Sequence, residues 1–352
     1  MEIKSSKVLV VGAGLTGALT CNFIRQRLKQ TVSIEIWEKS RGVGGRMNSS
    51  RMNTSSNLSC DMGAQYLTVT KEYMCKHQSV YNELLNEKVL SPLEGLVDGM
   101  KDYGDQVKHY VAPRGLNAIP KYFIKKADCN LKTNNLLKSI FVSDSFVRAS
   151  GINNSDKESF DALADVVILT IPIPQLLKIQ GEFESLLEAH RSRLELVQYS
   201  SRYALGCFYP NLKKVENVNW CSKYIPDGSS IRFLSIDTKK RKSNEAEGTS
   251  IVAHASVPFS IEHFESRLDD VEVLMKNRLY EIIPSLPKAE STKFLRWRYS
   301  QVTQPYEGRP GCIVLKSSPL IICAGDGFSN SNFDGCVDSA EAVLKVLHSY
   351  YS

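Results

Sequence analysis

The residues best suited to chemistry stand near the start of the chain. Gly12, Gly14 and Gly17 give the spacing GxGxxG inside VLVVGAGLTG, between a short apolar run and a helix-like segment. The first glycine would make the tight turn, the second would let a pyrophosphate reach the backbone, and the third would let helix and strand close together. The helix N-terminus would then face the negative charge. Glu38 follows about 20 residues on, where a carboxylate accepts both ribose hydroxyls of an adenosine and repels a 2′-phosphate. The pattern describes a dinucleotide site that is not for NADP. It leaves open whether the dinucleotide carries nicotinamide or flavin.

Three later stretches bear on that choice. GVGGRM, with Gly44, Gly45 and Arg46, resembles the second glycine motif of flavoprotein oxidases, in which backbone and arginine meet pyrophosphate and ribitol. DMGAQYLT, Asp61 to Thr68, is a small-residue strand of the kind that runs beside an isoalloxazine ring. Far downstream, Gly325, Asp326 and Gly327 lie between a buried strand and a final helix. An aspartate there accepts a ribitol hydroxyl, and a helix N-terminus aimed at the ring favours the negative charge of reduction. This order, spread over the chain with a second lobe inserted, suits a tightly held FAD and not a simple NAD dehydrogenase.

The positioning elements follow from periodicity. Lys7 to Val11 reads as a buried parallel strand, Leu15 to Leu28 as a helix, and Thr31 to Trp37 as a second strand, together one βαβ unit. A helix is expected over Glu72 to Leu90, a strand at Lys108 to Ala112, and a helix near Ile119 to Lys126. Short strands follow from Asn130 to Phe160, and Val166 to Thr170 is a buried strand stopped by Pro172 and Pro174. Between Leu176 and Arg296 helices (Phe183 to Leu196, Val271 to Ile282) mix with strands (Arg202 to Phe208, Ser230 to Ile236, Ser250 to Val257). Leu320 to Cys323 returns as a buried strand before an amphipathic helix carrying Val337, Ala340, Val343, Leu344 and Leu347. The expected fold is α/β, a Rossmann-like FAD-binding domain of residues 1–75, 108–174 and 296–352 with an inserted α+β substrate domain of residues 76–107 and 175–295.

The stretches VLVVGAGLTG, GGRM, DMGAQY, VAPRGL, VVILTIPIPQLL, YSSRYALGCFY, IRFLSID, VPF, RWRYSQVT and GDGFSNSNFDGC together resemble the renalase family over nearly the whole chain. The resemblance implies a two-lobed fold like p-hydroxybenzoate hydroxylase and the amine oxidases, and noncovalent FAD. It carries FAD contacts onto Thr16, Arg46, Gln65 and Tyr66. It also implies oxidation of 2- and 6-dihydro isomers of NAD(P) to NAD(P)+, with O2 reduced to H2O2, as metabolite repair. A dihydropyridine already substituted on nitrogen becomes a stable pyridinium on losing hydride, so no proton must move and no catalytic base is required. In keeping with this, the six histidines form no cluster, and GxSxG and CxxxxC are absent.

Candidates for the substrate slot are Arg232, which could hold a carboxamide or phosphate or be an exposed strand arginine; His254, a slot residue or a hydrogen-bonded core histidine; and Trp297, a stacking wall or lobe packing. Tyr224 is a further candidate. An FAD-dependent amine oxidase is the competing enzyme, expected to need an aromatic cage and a lysine-held water. A secreted signalling protein with an idle flavin is the competing non-enzyme.

The rest of the composition excludes other classes. The 352 residues are 42% hydrophobic and 23% charged, with a net charge of +6. That is a globular chain favouring small anions, with no stripe for nucleic acid. KKRK, Lys239 to Lys242, is expected to be a solvated loop. Nine scattered cysteines suggest reduced thiols, no disulfide framework and no metal site. No run is long and apolar enough for a membrane span. Cleavage of the apolar N-terminus as a signal would remove the phosphate loop, so a cytoplasmic protein is expected, with secretion by another route left open. The Ser/Asn-rich stretch Asn48 to Ser59 reads as a flexible surface loop, and its sequons at Asn48, Asn53 and Asn57 are silent in a cytosolic protein.

Overall fold

The structure, a computed structural model, describes residues 6–28, 32–52, 58–104, 106–226, 228–242 and 248–352. The chain divides into two compact units, residues 1–45, 120–199 and 302–352, and residues 46–119 and 200–301.

In the first unit the apolar opening becomes the strand Ser6–Val11, inside a six-stranded sheet ordered Cys312–Ser317, Leu320–Ala324, Val166–Leu169, Ser6–Val11, Val32–Trp37, Asn130–Lys132. All but the Cys312–Ser317 edge run parallel. Every residue of Val166–Leu169 and Leu320–Ala324 is buried, as a parallel sheet covered on both faces demands. Leu9, Val11, Val167 and Leu169 share a core with Leu137, Ile140, Val147 and Ala149 of an antiparallel sheet. The helix Leu15–Arg27 packs on the last helix, Phe333–Tyr351. From the opening strand the chain passes to Val32–Trp37 on one side, and Val166–Leu169 lies on the other. The carboxyl end of the opening strand is therefore a topological switch point, where open α/β sheets take their ligands.

The second unit is built on a sheet ordered Ser291–Trp297, Arg202–Tyr209, Thr249–Ala255, Ile231–Ile236, Ser222–Tyr224, Val97–Asp98. Alternation separates its faces. Tyr203, Leu205, Cys207, Ile251 and Ala253 meet Val271, Met275 and Leu279, spaced i, i+4, i+8 along the helix Leu268–Ile282. The opposite face brings Ala204, Phe208 and Val252 against Met52, Leu58, Cys60 and Met62. Gly206 sits under these sulfurs, where a Cβ would fall 2.6 Å from Cys60 Sγ and 2.8 Å from Met62 Sδ.

The boundaries differ from those expected. Residues 46–75, 108–119 and 296–301 belong to the second unit, because Leu67–Val69 and Ser91–Pro92 both pair with Lys108–Val111, Ser49–Arg51 pairs with Ser59–Asp61, and Ser291–Trp297 pairs with Arg202–Tyr209. Residues 175–199 belong to the first, where Leu176, Ile179, Phe183, Leu187 and Leu194 complete the core. Strand pairing and apolar burial, not the continuity of glycine motifs, decide membership.

Local differences have local causes. The helix expected over Glu72 to Leu90 is two, Lys71–Lys76 and Gln78–Asn86, broken at His77, whose ψ of 30° leaves the helical region. Thr70 caps the first by accepting Tyr73 N–H at 3.2 Å. Phe183 to Leu196 is likewise interrupted, by a 3-10 turn at Glu188–His190. The strand ending expected at Val257 stops at Ala255, since Ser256 caps a helix Val257–Glu262 with Pro258 in its first turn. Ser49–Arg51 is a short strand within the expected Ser/Asn loop, and the sequons at Asn53 and Asn57 lie outside the described residues. The largest correction concerns KKRK. Lys240 and Arg241 are buried, because the short helix Asp237–Lys240 turns them toward carboxylates.

Candidate active site

The glycine loop lies at the carboxyl end of the opening strand. Gly12 holds φ at +107°, donates to Trp37 O at 2.8 Å, and its carbonyl accepts Thr170 Oγ1 at 3.0 Å. A Cβ on Gly17 would fall 2.0 Å from Gly12 O, so strand and helix touch as the motif predicts. Gly14 differs. Its φ is −77°, and a Cβ there would meet nothing within 4 Å. The space beside it is open, at a helix start that no side chain caps. Thr16 is buried in the first turn.

The second glycine stretch packs against the first. Gly44 donates to Ala13 O at 3.0 Å, and a Cβ on Gly45 would come within 3.3 Å of Gly14 Cα. Glu38 is buried and rigid, its carboxylate accepting Ala13 N–H at 3.0 Å and Ser40 N–H at 2.8 Å. Each carboxylate oxygen keeps acceptor capacity for a ribose hydroxyl. Gly325, at φ +127°, donates to Ser339 Oγ at 2.7 Å, and buried Asp326 accepts Ser331 Oγ at 3.0 Å. The last helix does not begin at Asp326. A 3-10 turn, Asp326–Phe328, intervenes, and Asn332 caps the helix by accepting Gly335 N–H at 2.7 Å. Thr170 is a loop-fixing residue that the sequence did not single out. Its only signal was a hydroxyl at the end of a buried strand.

In the second unit, DMGAQY is anchored to the backbone of GGRM. Met62 donates to Asn48 O and Ala64 to Arg46 O, both at 2.9 Å, and a Cβ on Gly63 would fall 1.9 Å from Arg46 O. Below this turn lies a fully buried charge network. Lys240 Nζ stands 2.5 Å from Asp237 Oδ1 and 3.5 Å from Asp61 Oδ2, and donates to Gln65 Oε1 at 3.0 Å. Arg241 Nε holds Asp237 Oδ2 at 3.0 Å. Asp61 also accepts Ser49 Oγ at 2.5 Å and Leu116 N–H at 2.8 Å. Burial and the Asp237 charge push the Asp61 carboxyl up. For Asp237, burial acts the same way but is outweighed by Lys240 and Arg241, which bring its carboxyl below the ordinary range. Gln65, with its acceptor end taken by Lys240, turns its amide N–H groups to the carbonyls of Asp61 and Gly63, and lies 3.5 Å from His254 Nε2.

The other candidates share the sheet face beneath DMGAQY. Register sets Ala204, His254 and Phe233 side by side, with Trp297 opposite Arg202 and Tyr224 opposite Phe233. Trp297 donates to Met62 O at 2.8 Å. Tyr66 and Tyr224 share a hydrogen bond of 2.6 Å between hydroxyls, and burial keeps both phenols protonated. Arg232 stands 5.9 Å from the Tyr224 ring and donates to Ile225 O at 2.5 Å. A bulge between Ile231 and Phe233 turns it to this face. Gln65, Tyr66, Tyr224, Arg232, His254 and Trp297 are thus brought together within the second unit. The sequence reading missed Lys240, since a basic run in a polar stretch gives no sign of burial, and Asp237 and Arg202, whose partners lie far off in the chain.

Burial, with the charges of Arg202 and Lys240, lowers His254 to about 4. An unfolded histidine titrates near 6.5, so between those values the unfolded chain binds more protons and stability falls as the pH drops. Acid denaturation should therefore cost on the order of 2 kcal/mol between about pH 6.5 and pH 4 through this residue. His254→Leu should remove that part of the slope in urea titrations at stepped pH. An unchanged slope would place the proton elsewhere.

A Rossmann-like unit with an intact glycine loop, joined in one chain to an α+β unit with a polar sheet face, defines an oxidoreductase. Residues 10–84 match the NAD(P)-binding Rossmann-like domain. The fold resembles a putative protoporphyrinogen oxidase from Exiguobacterium sp. 255-15, with a TM-score of 0.71 at 12% identity over 98% of this chain and 99% of that one. It equally resembles wild-type putrescine oxidase bound to putrescine, with a TM-score of 0.70 at 11% identity and the same coverage. Mouse renalase is 39% identical over 347 residues, 98% of this chain and 99% of the mouse protein. The chain belongs to the renalase family. Among the described residues no helix is long and apolar enough to cross a membrane.

Proposed function

We propose that the protein is a flavoprotein oxidase that converts 2- and 6-dihydro isomers of NAD(P) to NAD(P)+. The observation that carries this reading is the protonation chemistry of the second unit's sheet face. It offers flat and cationic groups, and among Gln65, Tyr66, Tyr224, Arg232, His254 and Trp297 there is no side chain suited to removing a proton at neutral pH. His254, lowered to about 4, is a weak base, and Asp61 and Asp237 are tied to Lys240 and Arg241. Amine or alcohol oxidation has a proton to dispose of, whereas an N-substituted dihydropyridine has none.

FAD suits the residues present. Gly12, Gly14, Thr16 and Gly17 would hold its pyrophosphate, Glu38 its adenosine ribose, and Gly45, Arg46, Gly325 and Asp326 the pyrophosphate and ribitol, with Gln65 and Tyr66 toward the ring, as the family resemblance implies. When bound, FAD supplies the two-electron acceptor and passes the electrons to O2, giving H2O2. The protein's part is orientation and exclusion of water. Trp297, fixed through Met62 O, offers a flat wall, and Tyr224 with Arg232 defines an opposite polar side. His254 stays neutral and so adds no charge against the forming pyridinium.

The test is anaerobic mixing of the yellow protein with 6-dihydroNAD, ordinary NADH and an amine in turn, following bleaching of the flavin. Rapid bleaching by 6-dihydroNAD, with no inflection in the limiting rate near pH 6.5, is expected. Bleaching by the amine alone would replace this reading with an amine oxidase.

A further inference from the structure

We propose that Cys21 and Cys129 are a peroxide-oxidised thiol pair whose reversible disulfide clamps the glycine-loop helix to the edge of the parallel sheet. The helix Leu15–Arg27, which opens at the glycine loop, carries Cys21 and Arg25 one turn apart on one face. Arg25 reaches the end of another helix, Ala118–Ala127: its Nε donates to Ala127 O at 2.9 Å and its Nη2 to Asp128 O at 3.4 Å. Asp128, at φ +47°, reverses the chain, and Cys129 follows directly before the edge strand Asn130–Lys132. Cys129 Sγ donates to Ile124 O at 3.7 Å, which turns it back over the helix end. There it meets the Cys21 thiol, one turn above Arg25, and the two share a hydrogen bond. The edge strand pairs with Val32–Trp37, and Lys132 O accepts Glu38 N–H at 2.9 Å. A bond between these sulfurs therefore ties the helix that starts at Gly14 to the strand that holds Glu38.

The two thiols are unequal, as an attacking and a resolving cysteine must be. Cys21 is fully buried, whereas Cys129 is half-buried and within reach of a small oxidant. The Cys21 hydrogen bond, helped by the Arg25 guanidinium, holds the Cys129 thiol below its ordinary value against the effect of burial. The same hydrogen bond, with burial, pushes Cys21 well up. Cys60, Cys207, Cys312 and Cys323 are also pushed up by burial, which makes them poor nucleophiles. The Cys129 thiolate attacks one oxygen of H2O2 and breaks the O–O bond, so that its sulfur becomes a sulfenic acid and the second oxygen leaves, protonated, as water. Cys21 then attacks that sulfur, forming the S–S bond, and its proton leaves with the hydroxyl as another water. Two thiols and one H2O2 give one disulfide and two waters. H2O2 is also the product assigned above to reoxidation of the flavin, but the clamp does not rest on that assignment.

The test titrates the fully reduced protein, freed of reductant, with H2O2 and counts free thiols after unfolding. Two of the nine should be lost first. Trypsin should then release residues 8–25, which hold Cys21, joined to residues 127–132, which hold Cys129, and dithiothreitol should separate them. In Cys21→Ala the Cys129 sulfur should stop at the sulfenic acid and be trapped by dimedone. In Cys129→Ser, Cys21 should stay reduced. The urea midpoint of the oxidised wild type should lie about 0.5 M or more above that of the reduced protein, with no such rise for peroxide-treated Cys129→Ser. Peroxide that oxidises the exposed Cys75 while the two peptides stay unlinked would overturn the pair. An unchanged midpoint in the linked protein would overturn the clamp. No substrate is turned over in these measurements, so the clamp and the oxidase reading can fail separately.

Discussion

Gly17→Ala should unfold or empty the protein, whereas Gly14→Ala, three residues away, should leave it folded and unable to hold its cofactor. At residue 17 a methyl would fall 2.0 Å from Gly12 O and 2.9 Å from Thr170 Oγ1. Gly12 cannot yield, because its N–H is bonded to Trp37 and its carbonyl to Thr170. Helix and strand must separate, at a cost of about 3 kcal/mol or more. At residue 14 the backbone already has φ −77° and the space beside it is open. Gly14→Ala should therefore change stability by about 0.5 kcal/mol at most. Its methyl would stand where a pyrophosphate approaches the helix N-terminus, so FAD retained on purification should fall about tenfold or more. Urea midpoints and the flavin-to-protein absorbance ratio check both. Full flavin content in Gly14→Ala would contradict the assignment of this loop.

Asp237→Ala should be the most damaging single change in the second unit. It leaves Lys240 and Arg241 buried, with only Asp61, 3.5 Å from Lys240, to balance them. Breaking a buried pair in this way costs about 3–5 kcal/mol, because the remaining charge has neither water nor partner. By contrast, Glu94→Gln removes an exposed partner of Lys242 and should change stability by less than about 1 kcal/mol. Changing Asp237 and Lys240 together to apolar residues should recover part of the single-mutant loss, a coupling that a double-mutant cycle in urea would measure. If Asp237→Ala proved as mild as Glu94→Gln, the network would not be dry.

The network also bears on the site. Lys240 holds the acceptor end of Gln65, and Asp61 holds the start of DMGAQY through Ser49 and Leu116. Loss of Asp237 should therefore weaken the cofactor as well as the fold, and flavin content at a denaturant concentration where the variant is still folded separates the two effects.

The amino-acid sequence by itself determined the parts of this protein that depend on contacts between near neighbours in the chain. The βαβ opening, its glycine loop, Glu38 at the strand end and the buried runs at Val166 and Leu320 are legible because periodicity and φ requirements act over a few residues. Family membership was legible too, since its motifs are short and local. Tertiary structure alone decided what depends on residues far apart in sequence. Strand pairing assigned residues 46–75 and 108–119 to the second unit. Asp61 and Asp237, 176 positions apart, turned part of a basic run that reads as solvated into a buried network. A bulge of one residue set Arg232 beside the Tyr224 ring. Charge and side-chain direction are not properties of a stretch: each takes its value from the partner that folding brings opposite, and no local pattern records that partner.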